Sequence, residues 1–288
     1  MQSFFLLTFM MIALAQSWNM ISGMTGYVSF GHTAFFGVGA YTSSLLLING
    51  IPWYIAAFHG GILALLVALP LGTITLRIRG PYFAIAMLGL NEIARVIALL
   101  WVDLTGGGDG IALNPENLPS LTSSYYSMFI TAILSTLMIH LVLRGRLGLE
   151  LMAIREDEEA AEMVGVNTVM NKIIAFLMSA FFPGIVGGLY AFYTSFIDPP
   201  SVFSPAMNLQ IITMVLLGGG GTLWGPVLGA AILSILREVL WARFPFYHMA
   251  LLGILIIVII LNLPRGVLSL FEKEVKPELV EEGEGENV

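Results

Sequence analysis

The sequence contains no cysteine, which excludes disulfides and thiolate metal sites. Charge is scarce as well: 11% of the 288 residues are Asp, Glu, Lys or Arg, against about 25% in an ordinary soluble domain. None of these four types occurs between Met1 and Leu76. Basic residues are outnumbered, 12 Lys and Arg to 19 Asp and Glu, so there is no cationic footprint for a nucleic acid. The lysines are Lys172, Lys273 and Lys276, and none follows a glycine. The phosphate-binding G-x-x-x-x-G-K-[ST] loop is therefore missing, and any ATP must be hydrolysed by another chain. Neither H-E-x-x-H nor a G-x-S-x-G serine appears, which removes the usual protease motifs. What is left is apolar, 57% hydrophobic with a mean hydropathy of +0.89. One water-soluble core cannot absorb that excess, so a soluble enzyme is excluded.

The apolar residues fall into long continuous runs near 4–22, 32–48, 54–76, 82–102, 125–143, 171–195, 208–217, 225–243 and 249–263. They lack the alternation of a β-barrel, and backbone polar groups in lipid must be satisfied internally, so the runs predict helices. The first run has an A-x-A at residues 13–15 but no basic flank, and reads as a retained membrane helix rather than a signal peptide. The expected fold is all-α: a polytopic transmembrane helical bundle of about nine membrane segments, two of them glycine-rich and broken. Residues 1–271 form the membrane domain, and 272–288 an acidic, disordered tail.

Basic residues gather in three places: Arg77 with Arg79, the segment from Arg144 to Lys172, and Arg265 with Lys273 and Lys276. An alternating path puts all three on one side, which the positive-inside rule makes cytoplasmic. The N-terminus is then outside and the C-terminus inside. Within the cytoplasmic loop 144–171, Glu156 to Glu159 followed by two alanines predict one short helix over 151–163, with Gly165 as its cap. The loop reads either as a solvated connector or as a docking element for a cytoplasmic partner.

Two stretches combine membrane depth with helix-breaking composition: Gly23 to Gly39, which includes Gly26, Ser29, Gly31 and His32, and Gly218 to Gly229, which includes Gly221 and Gly225. Irregular backbone at that depth is tolerated only beside protein or a water-filled cavity, and paired interruptions point to a transport pathway. Glu92 and Arg95 lie three apart on one helix face. They read as a mutual ion pair turned into the protein interior, or as part of a gate. His32, with only Ser29 in helical reach, reads as a packing or hydrogen-bonding residue.

These segments resemble one family. Ser29-Phe30-Gly31-His32-Thr33-Ala34-Phe35-Phe36-Gly37 is similar to the first membrane motif of branched-chain amino-acid ABC importer permeases. Arg77 to Ile85, Asn91-Glu92-Ile93-Ala94-Arg95 and Leu104-Thr105-Gly106-Gly107 resemble the LivM-type subunit rather than its LivH-type partner. Ala153 to Gly165 is similar to the E-A-A-x-x-x-G loop of such permeases, and Leu216 to Pro226 to a further motif. The resemblance implies one of two homologous permease subunits in the inner membrane of a prokaryote. Two cytoplasmic ABC ATPases would dock on the loops, and a periplasmic or extracellular binding protein would deliver a branched-chain amino acid. It implies no cofactor on this chain, with ATP–Mg held by the ATPases. It also implies that Arg155, Glu156, Glu159, Ala160, Ala161 and Gly165 couple to them. Gly26, Ser29, Gly31, His32, Glu92, Arg95, Gly218, Gly221 and Gly225 are the pathway candidates. The competing readings are a like-built permease for urea, short amides or other amino acids, and an ion-coupled transporter with Glu92 as proton carrier.

Overall fold

The computed structural model describes residues 1–78, 80–243, 247, 253 and 266–270. Helix α1 (Gln2–Trp18) continues into a π turn over Asn19–Gly23, and the backbone is then irregular from 26 to 31. Next come α2 (His32–Ile48), α3 (Trp53–Thr75), α4 (Pro81–Leu100), the single turn α5 (Val102–Thr105) and strand β1 (Ile111–Ala112). After these follow α6 (Leu121–Arg144), α7 (Arg146–Glu156), α8 (Glu158–Met163) and α9 (Thr168–Thr194). Strand β2 (Phe196–Ile197), the single turn α10 (Pro199–Val202), α11 (Pro205–Gly218) and α12 (Gly225–Arg243) complete the series. Six helical stretches among the described residues are long and apolar enough to cross a membrane. The chain is an all-α polytopic membrane protein. The apolar run at 249–263 apart from residue 253, Arg79, Arg265 and the acidic tail lie outside the described residues.

Helix ends follow local chemistry. Pro81 and Pro205 occupy first turns, where a missing N–H costs nothing. Ser120 and Asn167 cap α6 and α9, accepting from the Ser123 and Met170 N–H at 3.2 and 3.1 Å. Helices α1 and α9 form the centre: 78% and 61% of their apolar windows are buried, against 22% for α4. With lipid outside there is little hydrophobic drive between helices, so close approach of backbones has to hold them. Gly39 on α2 and Gly184 on α9 supply it; a Cβ on Gly39 would lie 2.0 Å from the Gly184 carbonyl oxygen. Phe35, Phe83 and Phe176 fill the space on one side in edge-to-face pairs.

The two ends of the bundle differ. At one end, the 144–171 loop lies beside the end of α3, with Lys172 Nζ donating to the Leu76 carbonyl at 3.2 Å. Helix α9 then runs 27 residues, about 40 Å at 1.5 Å per residue, to the opposite end. There β1 and β2 pair antiparallel, Ile111 opposite Ile197 and Ala112 opposite Phe196. The Leu113 N–H extends the ladder to the Ser195 carbonyl at 2.9 Å.

The single helix expected over 151–163 is two. Asp157 is extended (φ −155°), and its carboxylate accepts the Glu159 and Ala160 N–H groups at 2.9 and 3.0 Å. A side chain that caps one helix interrupts the helix before it, so the acidic run divides between the end of α7 and the first turn of α8.

Candidate functional site

The two glycine-rich breaks meet in space. Gly23 ends the π turn directly against the second break, where a Cβ would sit 2.7 Å from the Gly221 nitrogen. Side chains from the first span hold the contact. Asn19 Oδ1 accepts the Gly221 N–H at 2.7 Å, and Asn19 Nδ2 donates to the Thr222 carbonyl at 3.0 Å. Gln16 Nε2 donates to the Leu223 carbonyl at 2.8 Å. Three backbone groups freed by unwinding are thus satisfied by amides on α1 and its π turn. Gly221 has φ +83°, a conformation other residues adopt only with strain, which is why a glycine stands there. Gly218 closes α11 and Gly225 opens α12; a Cβ on Gly225 would lie 2.1 Å from the Gly219 carbonyl oxygen.

The 144–171 loop reaches this junction from the side. Arg155 Nη1 donates to the Gly23 carbonyl at 2.7 Å and, at 3.4 Å, to the Gly220 carbonyl. The arginine stem passes Gly26, and the guanidinium borders a hollow of about 410 Å³ with Trp18, Ser22, Val28 and Leu216. Three residues on, Glu158 pairs with Lys172 at 2.7 Å, and the Tyr27 hydroxyl donates to Glu158 at 2.5 Å. Lys172 is 2% exposed and also donates to the Tyr27 oxygen at 3.1 Å. A buried lysine needs such a set of acceptors to keep its charge out of water.

The other expected residues are distributed as follows. Ser29 and His32 lie in the same buried region: Ser29 Oγ is 3.1 Å from His32 Nδ1, and the Ser29 carbonyl accepts from the Trp18 indole at 2.8 Å. Gly31 packs against Met87 of α4. Glu92 and Arg95 do pair, with the arginine Nε 2.9 Å from a carboxylate oxygen. Within this chain they do not face the interior: their side chains are 48% and 29% exposed on α4. Their neighbour Asn91 is the inward residue, accepting from Thr33 at 3.0 Å and donating to the Phe203 carbonyl at 2.9 Å. On the loop, Ala161 is buried, while Glu156, Glu159, Ala160 and Gly165 are exposed. Among the described residues, no group of three His, Asp or Glu could hold a metal ion.

Gln16, Asn19, Asn91 and Tyr27 carry much of this geometry and were not among the sequence candidates. The signal available was faint: Gln16 and Asn19 are amides three residues apart in an otherwise apolar span, hence on one helix face.

A family model for the permease component of branched-chain amino acid transport systems matches residues 1–260. The chain belongs to this family. The LivM high-affinity branched-chain amino acid permease protein of Escherichia coli is 31% identical to it, over 94% of this chain and 70% of that protein. The corresponding LivH protein of Salmonella typhimurium is 26% identical, over 93% of each chain. An autoinducer 2 import permease protein, LsrC of Salmonella paratyphi B, is 27% identical over 73% of this chain and 60% of that protein. No solved structure matches the chain. The segment shared with the branched-chain permease family takes in both glycine breaks, α4 and the whole 144–171 loop. The polar junction therefore lies inside the part of the molecule that defines this family of transport permeases.

Proposed function

We propose that this chain is the membrane-spanning, non-catalytic subunit of an ATP-driven importer, and that it moves branched-chain amino acids by alternating access. The observation that carries the reading is the match to the branched-chain permease family over residues 1–260, with a loop at one end tied directly to two unwound membrane segments. A LivH-type subunit completes the membrane part, two cytoplasmic ATPases dock on the 144–171 loop, and a binding protein delivers cargo on the opposite side. ATP–Mg is bound by the ATPases. Free energy enters as their different affinity for the two permease states. The setting is the inner membrane of a prokaryote, with the loop and the C-terminus cytoplasmic.

In this reading the glycine junction lines the inward end of the path, and the outward face of α4 borders the second permease subunit. A charge pair facing lipid costs roughly 2.5–3.5 kcal/mol per group at the bilayer centre, so a protein or water-filled neighbour suits Glu92 and Arg95 better. Branched-chain amino acids are zwitterions with apolar side chains. An apolar wall with backbone dipoles at its breaks fits them better than a charged cage does.

The test is uptake in vesicles holding the full complex. Leucine, isoleucine or valine accumulates when ATP and the binding protein are present. Accumulation driven by an ion gradient without ATPases would overturn the class. Gly165→Trp or Glu159→Lys abolishes uptake while membrane insertion is kept; unchanged uptake removes the docking assignment. The likeness to an autoinducer 2 importer favours a second reading, the same machine with another small cargo. Uptake of that cargo or of urea, with none of the three amino acids, would select it.

A further inference from the structure

The loop residue Arg155 is exposed, yet its guanidinium reaches back to the bundle. Its guanidinium meets the carbonyl that ends the first span, Gly23, and one that follows α11, Gly220. The Gly23 carbonyl lies where the π turn stops and C-terminal oxygens lack intrahelical partners, a place where the helix dipole favours a cation, and Gly220 lies two residues beyond the end of α11. One side chain therefore spans the two glycine breaks from outside, where Asn19 spans them from within. Glu158, on the far side of the Asp157 break, holds the same stretch of chain through Tyr27. Moving α7 away must pull Arg155 from both carbonyls.

We infer that Arg155 is a latch: it keeps the inward end of the transport path shut by joining the two glycine breaks, and displacement of the 144–171 loop withdraws it. This rests on the importer reading above and makes Arg155 a positioning residue. A hydrogen bond from a guanidinium to a neutral carbonyl is strong enough to bias two states and weak enough to be exchanged for water in each cycle. Access for water is in place, because the guanidinium borders the 410 Å³ hollow between the breaks.

The experiment uses the complete complex, with Val28→Cys and Leu216→Cys introduced on this chain, where no native cysteine competes for label. Both positions are exposed and border the hollow. Spin-label distances are measured with and without nucleotide, and substrate moved per ATP hydrolysed is measured in vesicles. In Arg155→Ala the separated distance is populated without nucleotide, and the transport-to-hydrolysis ratio falls at least about tenfold, as expected for losing the charge-assisted bond to Gly23 and the longer one to Gly220 from a two-state balance. Arg155→Lys keeps the charge and restores part of the ratio; it is read alone if the alanine variant fails to assemble. A wild-type distance and ratio in both variants overturns the latch. So does a parallel loss of hydrolysis and uptake with an unchanged distance, which marks a merely structural role. Failure of the unsubstituted complex to transport with ATP would instead overturn the importer reading, while the nucleotide-free distances still decide the latch.

Discussion

The Glu158–Lys172 and Glu92–Arg95 pairs join the same kinds of group in opposite settings. The first brings together α8 and α9, excludes water from the lysine and recruits Tyr27 and the Leu76 carbonyl. The second lies within one turn of α4 and is largely uncovered. Inside the bundle, a charge pair fixes how separate elements sit, because each half left alone would be stranded away from water. On the helix exterior the pair joins two residues of one helix, so its worth lies in what the face meets.

The sharpest break in that contrast is Lys172→Met. Breaking this buried pair costs roughly 3–5 kcal/mol, seen as a lower melting temperature in detergent, and adding Glu158→Leu recovers most of it. Next is Asn19→Ala, which leaves the Gly221 N–H and the Thr222 carbonyl without partners at a cost of about 1–3 kcal/mol by the same assay. Glu92→Gln is expected to leave melting unchanged and to lower recovery of the second permease subunit on copurification. Equal recovery would place that face against lipid. The smallest effect concerns Glu150, whose carboxyl is held below its ordinary value by the hydrogen bond from Arg146 and then that from Asn171. A lowered folded value means the contribution is present above the ordinary carboxylate pKa of about 4.3 and lost as pH falls through the folded value. Wild type should therefore lose slightly more stability than Glu150→Gln in acid; identical pH profiles would remove the linkage.

The membrane helices were legible because uncharged apolar runs of that length have few alternatives. The breaks were legible because glycine clusters and Gly225-Pro226 cannot continue a regular helix. That the breaks meet was not legible. The bonds that join them pair the side chains of Gln16, Asn19 and Arg155 with backbone groups, and backbone partners leave no mark in a sequence. Asp157 could be read as one more first-turn acid or as a cap; the choice depends on where α7 stops. The spacing of Glu92 and Arg95 announced their pairing. Their direction was hidden, since a charged face on a membrane helix does not say by itself whether it meets its own bundle or a neighbour.

The short ladder between Ile111–Ala112 and Phe196–Ile197 has a mechanical corollary. It ties the connection after α4 to the one after α9, at the end of the bundle opposite the 144–171 loop. Connections joined by backbone hydrogen bonds cannot part without leaving those groups unpaired, so the ends of α4 and α9 on that side are held to one another.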